Sequence, residues 1–500
     1  MGRGREGVSK QLLVVVALIV ISFTVFVAFL PRDILAVIVV TTLLAISYFG
    51  GAVYLTTHAD RIPDRLKHAS LIWTVLFPVT TVVVVLANIW KDVPLTALLF
   101  TFALLFVFVY YWLVVPLALV QKLRQQNWTR PEKEWPPLTV LVPAYNEEQY
   151  VGRCLDAIAA ADYPAAVDVV VVDDGSTDGT YVEALAHATP TTTVVKQPNG
   201  GKHAALNTGL ELAETELLVS VDADSTIDPK ALRSLVAEFD RHPTAGAIAG
   251  NVKVGNRGTF VTDLQALEYI VGINTFRRAF DLLGVVTVVP GSLGAFRREA
   301  LLSVGGYSGE TLTEDFDLTI EILKAGHTIH ASEGVVYTEG PETWRDLYHQ
   351  RLRWFRGNIQ TLVKHVEVFS DSRFGLLHRL GFPYVFLSLS FLPLLGIVVF
   401  GLIVLSVVDG SAPLLLVIAA FFVLLQLLLS VLAIEIEGED VRLAALAPFS
   451  ILGFKQFLDV VLLKSLADVF LGNDLRWKNV RRARQRGSAT RNASERSPER

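Results

Sequence analysis

Long apolar stretches lie towards both ends of the chain, with a mixed and charged segment between them. A helix needs about 20 apolar residues to cross a bilayer core of about 30 Å. Four stretches of this length come before the middle segment: Leu12–Leu30, Ile34–Leu55, Ala69–Ile89 and Leu95–Val120. Two more follow it, Pro383–Val408 and Leu414–Ile434. The pattern therefore predicts six transmembrane helices around a middle domain.

The positive charges predict the orientation of these helices, because Lys and Arg collect on the cytosolic side of a membrane. They are Arg3, Arg5 and Lys10 in the leader, Arg61, Arg65 and Lys67 in a loop, and Lys122, Arg124 and Arg130 after the fourth stretch. We expect a multi-pass protein of the plasma membrane. Asp60, Lys202 and the C-terminal tail should be cytosolic, and Asp92 and Asp409 should lie outside.

The stretch Ala444–Leu471 is apolar but contains Lys455, Asp459, Lys464 and Asp468. A seventh crossing here would export the arginine-rich tail. We therefore favour a re-entrant or interfacial pair of helices, with the tail on the cytosolic side. The tail itself is rich in Arg, Ser and Asn, and this composition is typical of disorder.

The middle segment alternates strand-like and helix-like runs. Short runs rich in Val and Leu lie at Leu138–Val142, Val167–Val172, Thr193–Val195 and Leu217–Val221. Helix-like runs such as Thr180–Ala188 and Ala204–Glu214 lie between them. This alternation predicts an α/β domain with a mostly parallel sheet that is covered on both faces. Ligands of such sheets bind beyond the carboxyl ends of the strands.

Polar residues follow each of the four predicted strands. The four segments are Pro143–Glu148, Asp173–Thr180, Gly200–His203 and Asp222–Asp224. Any one of them could be a turn or a helix cap, and Asp173–Thr180 in particular has the composition of both. Four such segments at one edge of a sheet favour a binding site.

Asp222 and Asp224 are the predicted metal ligands. Two carboxylates at i and i+2 after a buried strand can face one hard cation with oxygen ligands, such as Mg²⁺ or Mn²⁺. Such a cation can bridge a diphosphate and stabilise the charge that develops as it leaves. The structural alternative is a capping Asp beside a loop Asp.

Three other residue types at this edge suit a nucleotide. Lys202 follows two glycines and precedes a helix, so it could bring a second positive charge to a phosphate, although a lone Lys is more often solvated. Asp173 or Asp174 could accept hydrogen bonds from a base or ribose, and the sequence does not decide between them. Tyr145 could stack on the base.

Further along are Pro290–Arg298, Gly305–Tyr307 and Thr313–Asp317. Asp315 precedes the helical run Phe316–Ala325, where it could be either an N-cap or a general base.

Gln350, Arg353 and Trp354 have the i, i+3 and i+4 spacing that puts them on one face of a helix. An indole can stack on a sugar ring, and the amide and guanidinium can hydrogen-bond to a sugar or a phosphate. An amphipathic interfacial helix with a Trp anchor would have the same pattern.

Composition excludes two other classes of site. The 500 residues are 52% hydrophobic and 19% charged, and their formal net charge of −5 argues against nucleic-acid binding. Cys154 is the single cysteine, so no internal disulfide and no cysteine cluster for zinc can form. We expect Cys154 on the buried face of a helix that follows Glu148.

The motif order Asp-Asp-Gly, Asp-x-Asp, Thr-Glu-Asp and Gln-x-x-Arg-Trp resembles the processive family 2 glycosyltransferases. These include cellulose, chitin, hyaluronan and poly-N-acetylglucosamine synthases. The segment Tyr337–Thr343, which leads into the last motif, is most similar to the poly-N-acetylglucosamine branch. Four apolar stretches precede the domain, where that branch would have about two.

The resemblance implies a Rossmann-like glycosyltransferase domain of the GT-A type, inserted between blocks of transmembrane helices. It implies a UDP-sugar donor, inversion at the anomeric carbon, Asp222 and Asp224 at the metal and diphosphate, and Asp315 as the catalytic base. The expected substrate-binding residues are Tyr145, Glu147, Asp173, Asp174, Lys202, Asp222, Gly291, Ser292, Glu314, Gln350, Arg353 and Trp354.

We expect five segments. They are a membrane block at 1–130, a cytosolic glycosyltransferase domain at 131–344, an interfacial helix region at 345–380, a second membrane block at 381–472 and a basic tail at 473–500. The expected partners are a polysaccharide or lipid-linked acceptor, membrane lipids and accessory membrane subunits. Two alternatives are the transfer of one sugar to a lipid or glycolipid, and a transporter or receptor with a degenerate domain. The second alternative predicts missing carboxylates, and none is missing.

Overall fold

The computed structural model describes residues 114–126, 128–408 and 413–472, together with positions 17, 18 and 21. The expectations for the first three apolar stretches, most of the fourth, Asp60, Asp92, Asp409 and the tail therefore lie outside the described residues. The chain divides into two compact units. One comprises residues 1–124, 267–279 and 369–463, and the other comprises residues 125–266, 280–368 and 464–500.

The second unit is built on an eight-stranded sheet. Its strands are β1 Leu138–Ala144, β2 Val167–Asp173, β3 Thr192–Lys196, β4 Leu217–Val221, β5 Thr226–Ile227, β6 Ala245–Val254, β7 Leu293–Arg297 and β8 Thr328–Thr338. Their order across the sheet is β3-β2-β1-β4-β7-β6-β8-β5. The four strands predicted from the sequence are β1 to β4, and each observed strand contains the predicted run.

The prediction of a mostly parallel sheet holds for six of the eight strands, and the sheet is mixed because β5 and β7 run in the opposite direction. Strands β1 to β4 run parallel to one another, but β7 pairs antiparallel with β4 and β6, and β5 pairs antiparallel with β8. In the β4–β7 ladder Val221 pairs with Leu293. The start of β7 therefore lies beside the end of β4, and the segment that precedes β7 is brought to the edge that carries Asp222.

The helices lie before, between and after these strands in the chain. They are α1 Val115–Gln126, α2 Val151–Ala159, α3 Thr180–Ala186, α4 Lys202–Leu212, α5 Ala231–Arg241, α6 Phe260–Glu268, α7 Thr275–Asp281, α8 Arg298–Ser303, α9 Glu314–Lys324, α10 Trp344–Lys364, α11 Phe382–Leu389, α12 Phe391–Val408, α13 Pro413–Glu437, α14 Ala447–Phe449 and α15 Lys455–Phe470. A π-helical turn at Tyr269–Asn274 joins α6 to α7.

Both faces of the sheet are covered, as the alternation predicts. On one face, Val140 and Val142 of β1 belong to a buried cluster with residues of α2 and α5. On the other face, Gly209 of α4 lies so close to Leu141 that an added Cβ would be 3.1 Å from its side chain. Cys154 is buried in α2 within the first cluster, so its predicted position is confirmed.

The first unit contains the apolar helices α11 to α13. A buried ion pair joins α7 to α13 in this unit, with Arg278 Nε 2.6 Å from Glu437 Oε1. Arg278 also donates to Gln121 Oε1 of α1 at 3.0 Å. Arginine at such a depth requires full pairing, because an unpaired buried charge is strongly destabilising.

Among the described residues, one helical segment is long and apolar enough to cross a membrane, Val441–Phe470. A pair bent by 40°, Leu377–Leu389 with Phe391–Leu405, passes the same criterion as one broken span. The backbone of Val441–Phe470 leaves the helical region at Leu452 and Gly453, where Gly453 has φ +108°. The re-entrant or interfacial pair in this stretch stays a prediction.

Candidate active site

The loop after β1 is tied to the loop after β2. Asn146 adopts a left-handed φ of +56°, and its N–H donates to Ser176 Oγ at 2.9 Å. Its side-chain oxygen accepts from the Thr177 N–H at 2.9 Å. The N–H of Glu147 donates to Thr180 Oγ1 at 2.7 Å. These bonds fix the backbone that carries two predicted substrate-binding residues, Tyr145 and Glu147.

Asp173 ends β2 with its side chain fully buried. One carboxylate oxygen accepts from the Ser176 N–H at 2.8 Å, and the other lies 3.1 Å from Lys196 Nζ. Its carboxylate therefore shapes the loop after β2. Because both oxygens of Asp173 are engaged in this way, a contact between Asp173 and a base or ribose would require a different conformation of its side chain.

Asp174 is also buried, and its carboxylate holds the glycine turn before α4. It accepts from Gln197 Nε2 at 2.8 Å, from the Gly200 N–H at 2.9 Å and from the Gly201 N–H at 2.8 Å. Gly201 has φ +92°, which favours glycine. Asp174 thus fixes the backbone directly ahead of Lys202.

Lys202 lies between two of the predicted acidic motifs. Its Nζ is 2.6 Å from Asp222 Oδ1 and 3.0 Å from Glu314 Oε1. Burial alone would lower the pKa of Lys202, but the carboxylates of Asp222, Glu314 and Asp315 outweigh burial and raise the pKa above its ordinary value. The ammonium therefore stays charged and links the end of β4 to the start of α9.

Asp222 and Asp224 lie on a turn that leaves β4, and both side chains are half-buried. The turn is closed by the Ser225 N–H, which donates to the Asp222 carbonyl at 2.9 Å, while Ser225 Oγ donates to Asp224 Oδ1 at 3.1 Å. Carboxylate oxygens are the ligands that Mg²⁺ and Mn²⁺ prefer. The ammonium on Asp222 shows that this turn already attracts a positive charge, so the residues fit a divalent cation.

Cys154 contributes no ligand to this turn, although its Sγ is 3.6 Å from the Asp222 carbonyl. Burial raises the pKa of the thiol, and the nearby carboxylates of Asp224, Asp222 and Glu147 raise it further. A protonated thiol is neither a nucleophile nor a metal ligand.

Asp315 lies inside α9, in its first turn, since the helix begins at Glu314 with Thr313 as its N-cap residue. The prediction that Asp315 precedes the helix is wrong, because the backbone turns helical two residues earlier than Phe316. Its two carboxylate oxygens accept from the N–H of Phe316 at 2.8 Å and from the N–H of Gly291 at 3.1 Å.

Burial and the neighbouring Glu314 carboxylate raise the pKa of Asp315 from 3.8 to about 6. Lys202 and the two backbone N–H groups oppose this rise. A carboxylate with such a pKa is ionised at neutral pH and is a stronger base than an ordinary Asp.

The segment before β7 completes the site. Thr319 Oγ1 donates to the Asp315 carbonyl at 2.6 Å and accepts from the Val289 N–H at 3.0 Å, which holds the segment against α9. A Cβ at Gly291 would lie 2.6 Å from Lys202 Nζ, so a glycine lets the lysine pass. The next residue, Ser292, is buried.

Gln350, Arg353 and Trp354 lie on α10, as their spacing predicts. Gln350 Oε1 accepts from Arg351 Nη1 at 2.7 Å, and the Arg351 guanidinium lies 4.2 Å from the Trp354 ring centroid. Arg351 lies within the same motif, but the helical spacing selects the neighbouring Arg353 and gives no signal for Arg351.

Tyr307 ends the segment Gly305–Tyr307, and its sequence pattern indicates no role for it. It is buried, and its backbone exchanges two 2.8 Å hydrogen bonds with the Asn207 side chain of α4. Burial raises the pKa of its hydroxyl, against the opposing charge of Lys202. Tyr307 therefore backs the lysine from the interior.

A separate group of donors could hold a metal ion by distance alone: His242, Asp281 and His330, whose donor atoms lie within 4.8 Å of one another. His330 is near the start of β8, which runs parallel to β4, so the group lies at the sheet edge opposite Asp222. The two imidazole rings stack 3.5 Å apart at 9°. Parallel stacked rings do not direct their in-plane lone pairs at one ion.

Comparison with known proteins identifies the domain. Residues 136–357 match the family described as Glycosyltransferase like family 2. The chain is 27% identical over 230 residues to a poly-β-1,6-N-acetyl-D-glucosamine synthase of Staphylococcus epidermidis, covering 45% of this chain and 56% of that protein. It is 27% identical over 262 residues to the protein of the same name from Staphylococcus aureus strain COL, covering 51% and 63%. The chain thus spans less than two thirds of the length of either relative.

Two solved structures are similar to the chain. One is a mannosyltransferase from Pyrobaculum calidifontis in complex with GDP-Man and Mn²⁺, with TM-score 0.48 and 23% identity, covering 72% of this chain and 96% of that one. The other is residues 1–349 of S. aureus TarS, with TM-score 0.35 and 18% identity, covering 68% and 94%. Residues 136–357, which contain the whole mixed sheet, therefore match a family 2 glycosyltransferase domain.

Proposed function

We propose that the protein is an inverting, processive glycosyltransferase of the membrane. It transfers N-acetylglucosamine from a UDP-sugar to a growing β-linked polysaccharide and passes the product across the bilayer. The names of the two Staphylococcus relatives support the choice of polymer. The observation that carries the proposal is the position of Lys202, which contacts Asp222 and Glu314 beside Asp315.

The donor would bind at the turn that carries Asp222 and Asp224. These two carboxylates would hold Mg²⁺ or Mn²⁺, which when bound supplies positive charge to the departing diphosphate. Lys202 would exchange its contact with Asp222 for one with a phosphate oxygen. Asp174 holds the glycine turn before Lys202, so the backbone of Lys202 would stay in place while its side chain changes partner.

Asp315 would act as the base. Its carboxylate takes the proton of an acceptor hydroxyl, the acceptor oxygen bonds to the anomeric carbon, and the bond from that carbon to the diphosphate breaks. A single displacement of this kind inverts the anomeric carbon and requires one base. Two facing carboxylates, as glycoside hydrolases use, are not required. The Gly291 N–H holds one oxygen of Asp315 and so fixes the direction of the carboxylate.

The acceptor would bind at α10. We place the terminal sugar of the polymer against Trp354, because an indole offers a flat apolar surface that does not fix the register of a sliding chain. Arg351 lies over the indole and restricts its rotation. Gln350 and Arg353 would hydrogen-bond to the sugar from the same side of the helix.

Membranes that contain the protein should be incubated with a panel of radiolabelled UDP-sugars, and the products should be sized. The proposal expects a long polymer from UDP-N-acetylglucosamine. A single labelled sugar on a lipid would instead establish the alternative of one transfer to a membrane acceptor. Incorporation from none of the donors would contradict the proposed activity.

A further inference from the structure

The face of α10 that carries Gln350, Arg353 and Trp354 continues towards the C-terminus of the helix. The next residues on this face are Gly357, Gln360 and Lys364, because they follow Trp354 at steps of three or four along the helix. We call this row of residues the stripe. The structure shows what this continuation contacts. It packs on the segment 310–317, which ends in the first turn of α9.

The first contact of this stripe is a close approach of backbone to side chain. A Cβ at Gly357 would lie 2.6 Å from Thr313 Cγ2 and 2.8 Å from the Thr313 N. One turn further along, Gln360 Oε1 accepts from the Leu312 N–H at 3.1 Å. Thr313 is the N-cap residue of α9, so these contacts fix the start of that helix against α10.

The second contact is a buried charged cluster. Lys364 Nζ donates to Asp317 Oδ2 at 2.8 Å, and His365 Nε2 donates to Asp317 Oδ1 at 2.8 Å. The other ring nitrogen, His365 Nδ1, lies 3.1 Å from Lys324 Nζ, which can only donate, and this sets the tautomer. Asp317 and His365 are almost completely buried. Burial alone would raise the pKa of Asp317, but the bonds from His365 and Lys364 hold it below its ordinary value.

Asp315 and Asp317 are two residues apart in the first turn of α9, so they point to different sides of the helix. Asp315 is held by Gly291. Asp317 is held by the end of α10. The first turn of α9 is thus clamped between the segment before β7 and the helix that carries Trp354.

We infer that Asp317 and His365, with Gly357, are positioning residues that fix the distance between the base Asp315 and the acceptor residues of α10. This inference rests on the proposed function. A loosened clamp would disturb the donor site less than the acceptor site, because Asp222 and Asp224 lie outside it, although the Lys202–Glu314 contact links the donor side to α9. The loosened clamp would move the acceptor hydroxyl away from its position beside the carboxylate of Asp315. A shift of about 1 Å between reacting groups can reduce the rate by about 100-fold.

The test uses the full-length protein in membranes and compares polymer synthesis with hydrolysis of the donor. His365→Leu removes the donor to Asp317 but fills the volume, while His365→Gln keeps an amide N–H that can replace it. Gly357→Ala separates the helices at the other contact. The matched control is Asp240→Asn, which lies outside the clamp. It removes the charge of a largely buried ion pair in which Asp240 Oδ2 is 2.7 Å from Arg130 Nε.

We expect His365→Leu and Gly357→Ala to reduce polymer synthesis by about 10- to 100-fold. Donor KM and donor hydrolysis should change much less than polymer synthesis. His365→Gln should recover most of the lost rate, and Asp240→Asn should keep all of it. Lys364→Gln changes a partly exposed side chain and should also reduce polymer synthesis more than donor hydrolysis, but by a smaller factor. This variant replaces His365→Leu in the test if His365→Leu does not fold.

Equal losses in His365→Leu and His365→Gln, or a parallel loss of synthesis and hydrolysis, would overturn the inference while leaving the proposed function standing. If the wild-type protein transfers no sugar at all, the proposed function fails instead. Hydrogen exchange over residues 357–364 then tests the clamp by itself. Faster exchange in His365→Leu supports it, and unchanged exchange overturns it.

Discussion

Lys202 Nζ lies 2.6 Å from Asp222 Oδ1, so a lysine ammonium occupies one oxygen of a predicted metal ligand. The same ammonium is 3.0 Å from Glu314. A divalent cation that binds Asp222 therefore competes with Lys202 for this carboxylate. The two positive charges can be accommodated together once the diphosphate of a donor adds negative charge between them. This relationship predicts that metal and donor bind cooperatively.

Replacing Lys202 should separate metal affinity from turnover. In Lys202→Gln the competing charge is gone, so Mn²⁺ should bind more tightly in the absence of donor, while nucleotide release from the donor should fall. Electron paramagnetic resonance of free Mn²⁺ measures the affinity. Lys196→Gln is the control, because Lys196 pairs with Asp173 and not with Asp222. Weaker Mn²⁺ binding in Lys202→Gln would show that the lysine does not compete.

The proposed metal ligands, Asp222 and Asp224, should be essential for turnover but dispensable for folding. Asp222→Asn or Asp224→Asn removes one charged oxygen ligand, so turnover that depends on Mg²⁺ or Mn²⁺ should be lost. The melting temperature should remain close to the wild-type value, because both side chains are half-buried on a turn. Full activity of the wild-type protein in EDTA would exclude the metal role.

The sequence predicts strands β1 to β4 and their common direction, because the local alternation of strand-like and helix-like runs determines both. Each of β1 to β3 is a short apolar run followed by polar residues and a helix that leads to the next strand, and a crossover of this kind favours parallel strands. The direction of β7 has no such local signal. Its antiparallel pairing between β4 and β6 depends on contacts with strands that are distant in sequence. A rule based on alternation therefore predicts the parallel strands but not the antiparallel β7.

The candidate site divides in the same way. Asp222, Lys202 and Asp174 could be selected because each follows a strand or opens a helix, and chain order alone brings them to one edge. Asp317 and His365 could not be selected. Their contact joins two helices through side chains 48 positions apart, and nothing in either local pattern indicates the partner.

Asp315→Asn should leave donor binding intact and reduce turnover by about 10²–10⁴-fold, the usual contribution of a general base. The Asn side-chain oxygen can still accept the hydrogen bond from Gly291, so the local backbone should be preserved. Donor affinity and turnover should be measured on the same preparation. A loss of donor affinity with the turnover number unchanged would assign Asp315 to binding.

The pH profile should show an acidic limb that belongs to Asp315. Its pKa is raised from 3.8 to about 6, so the basic form dominates above that pH and is lost below it. The kcat/KM should therefore rise with pH through about 6. Lys202 lowers this pKa, so the limb should move to higher pH in Lys202→Gln if residual activity permits. A limb that stays near pH 4 in the wild-type protein would point to a different group.

Trp354→Ala should lose polymer formation much more than it loses donor binding. The indole is held by Arg351, which lies 4.2 Å from its ring centroid and also donates to Gln350. Removing the ring therefore removes both the apolar surface for the acceptor and the partner that orders Arg351. Slow transfer of the donor sugar to water should persist, because Asp222, Asp224 and Lys202 are unchanged.

For Trp354→Ala, the length of the polymer and the amount of released nucleotide should be measured in the same membranes and compared. Trp354→Phe is the matched variant, since a phenyl ring keeps an aromatic face for a sugar and for a guanidinium. It should retain polymer of intermediate length. If Trp354→Ala still makes long polymer at the wild-type rate, the acceptor does not bind the indole. The residue would then serve as an interfacial anchor, and the acceptor site would have to lie on another part of the domain.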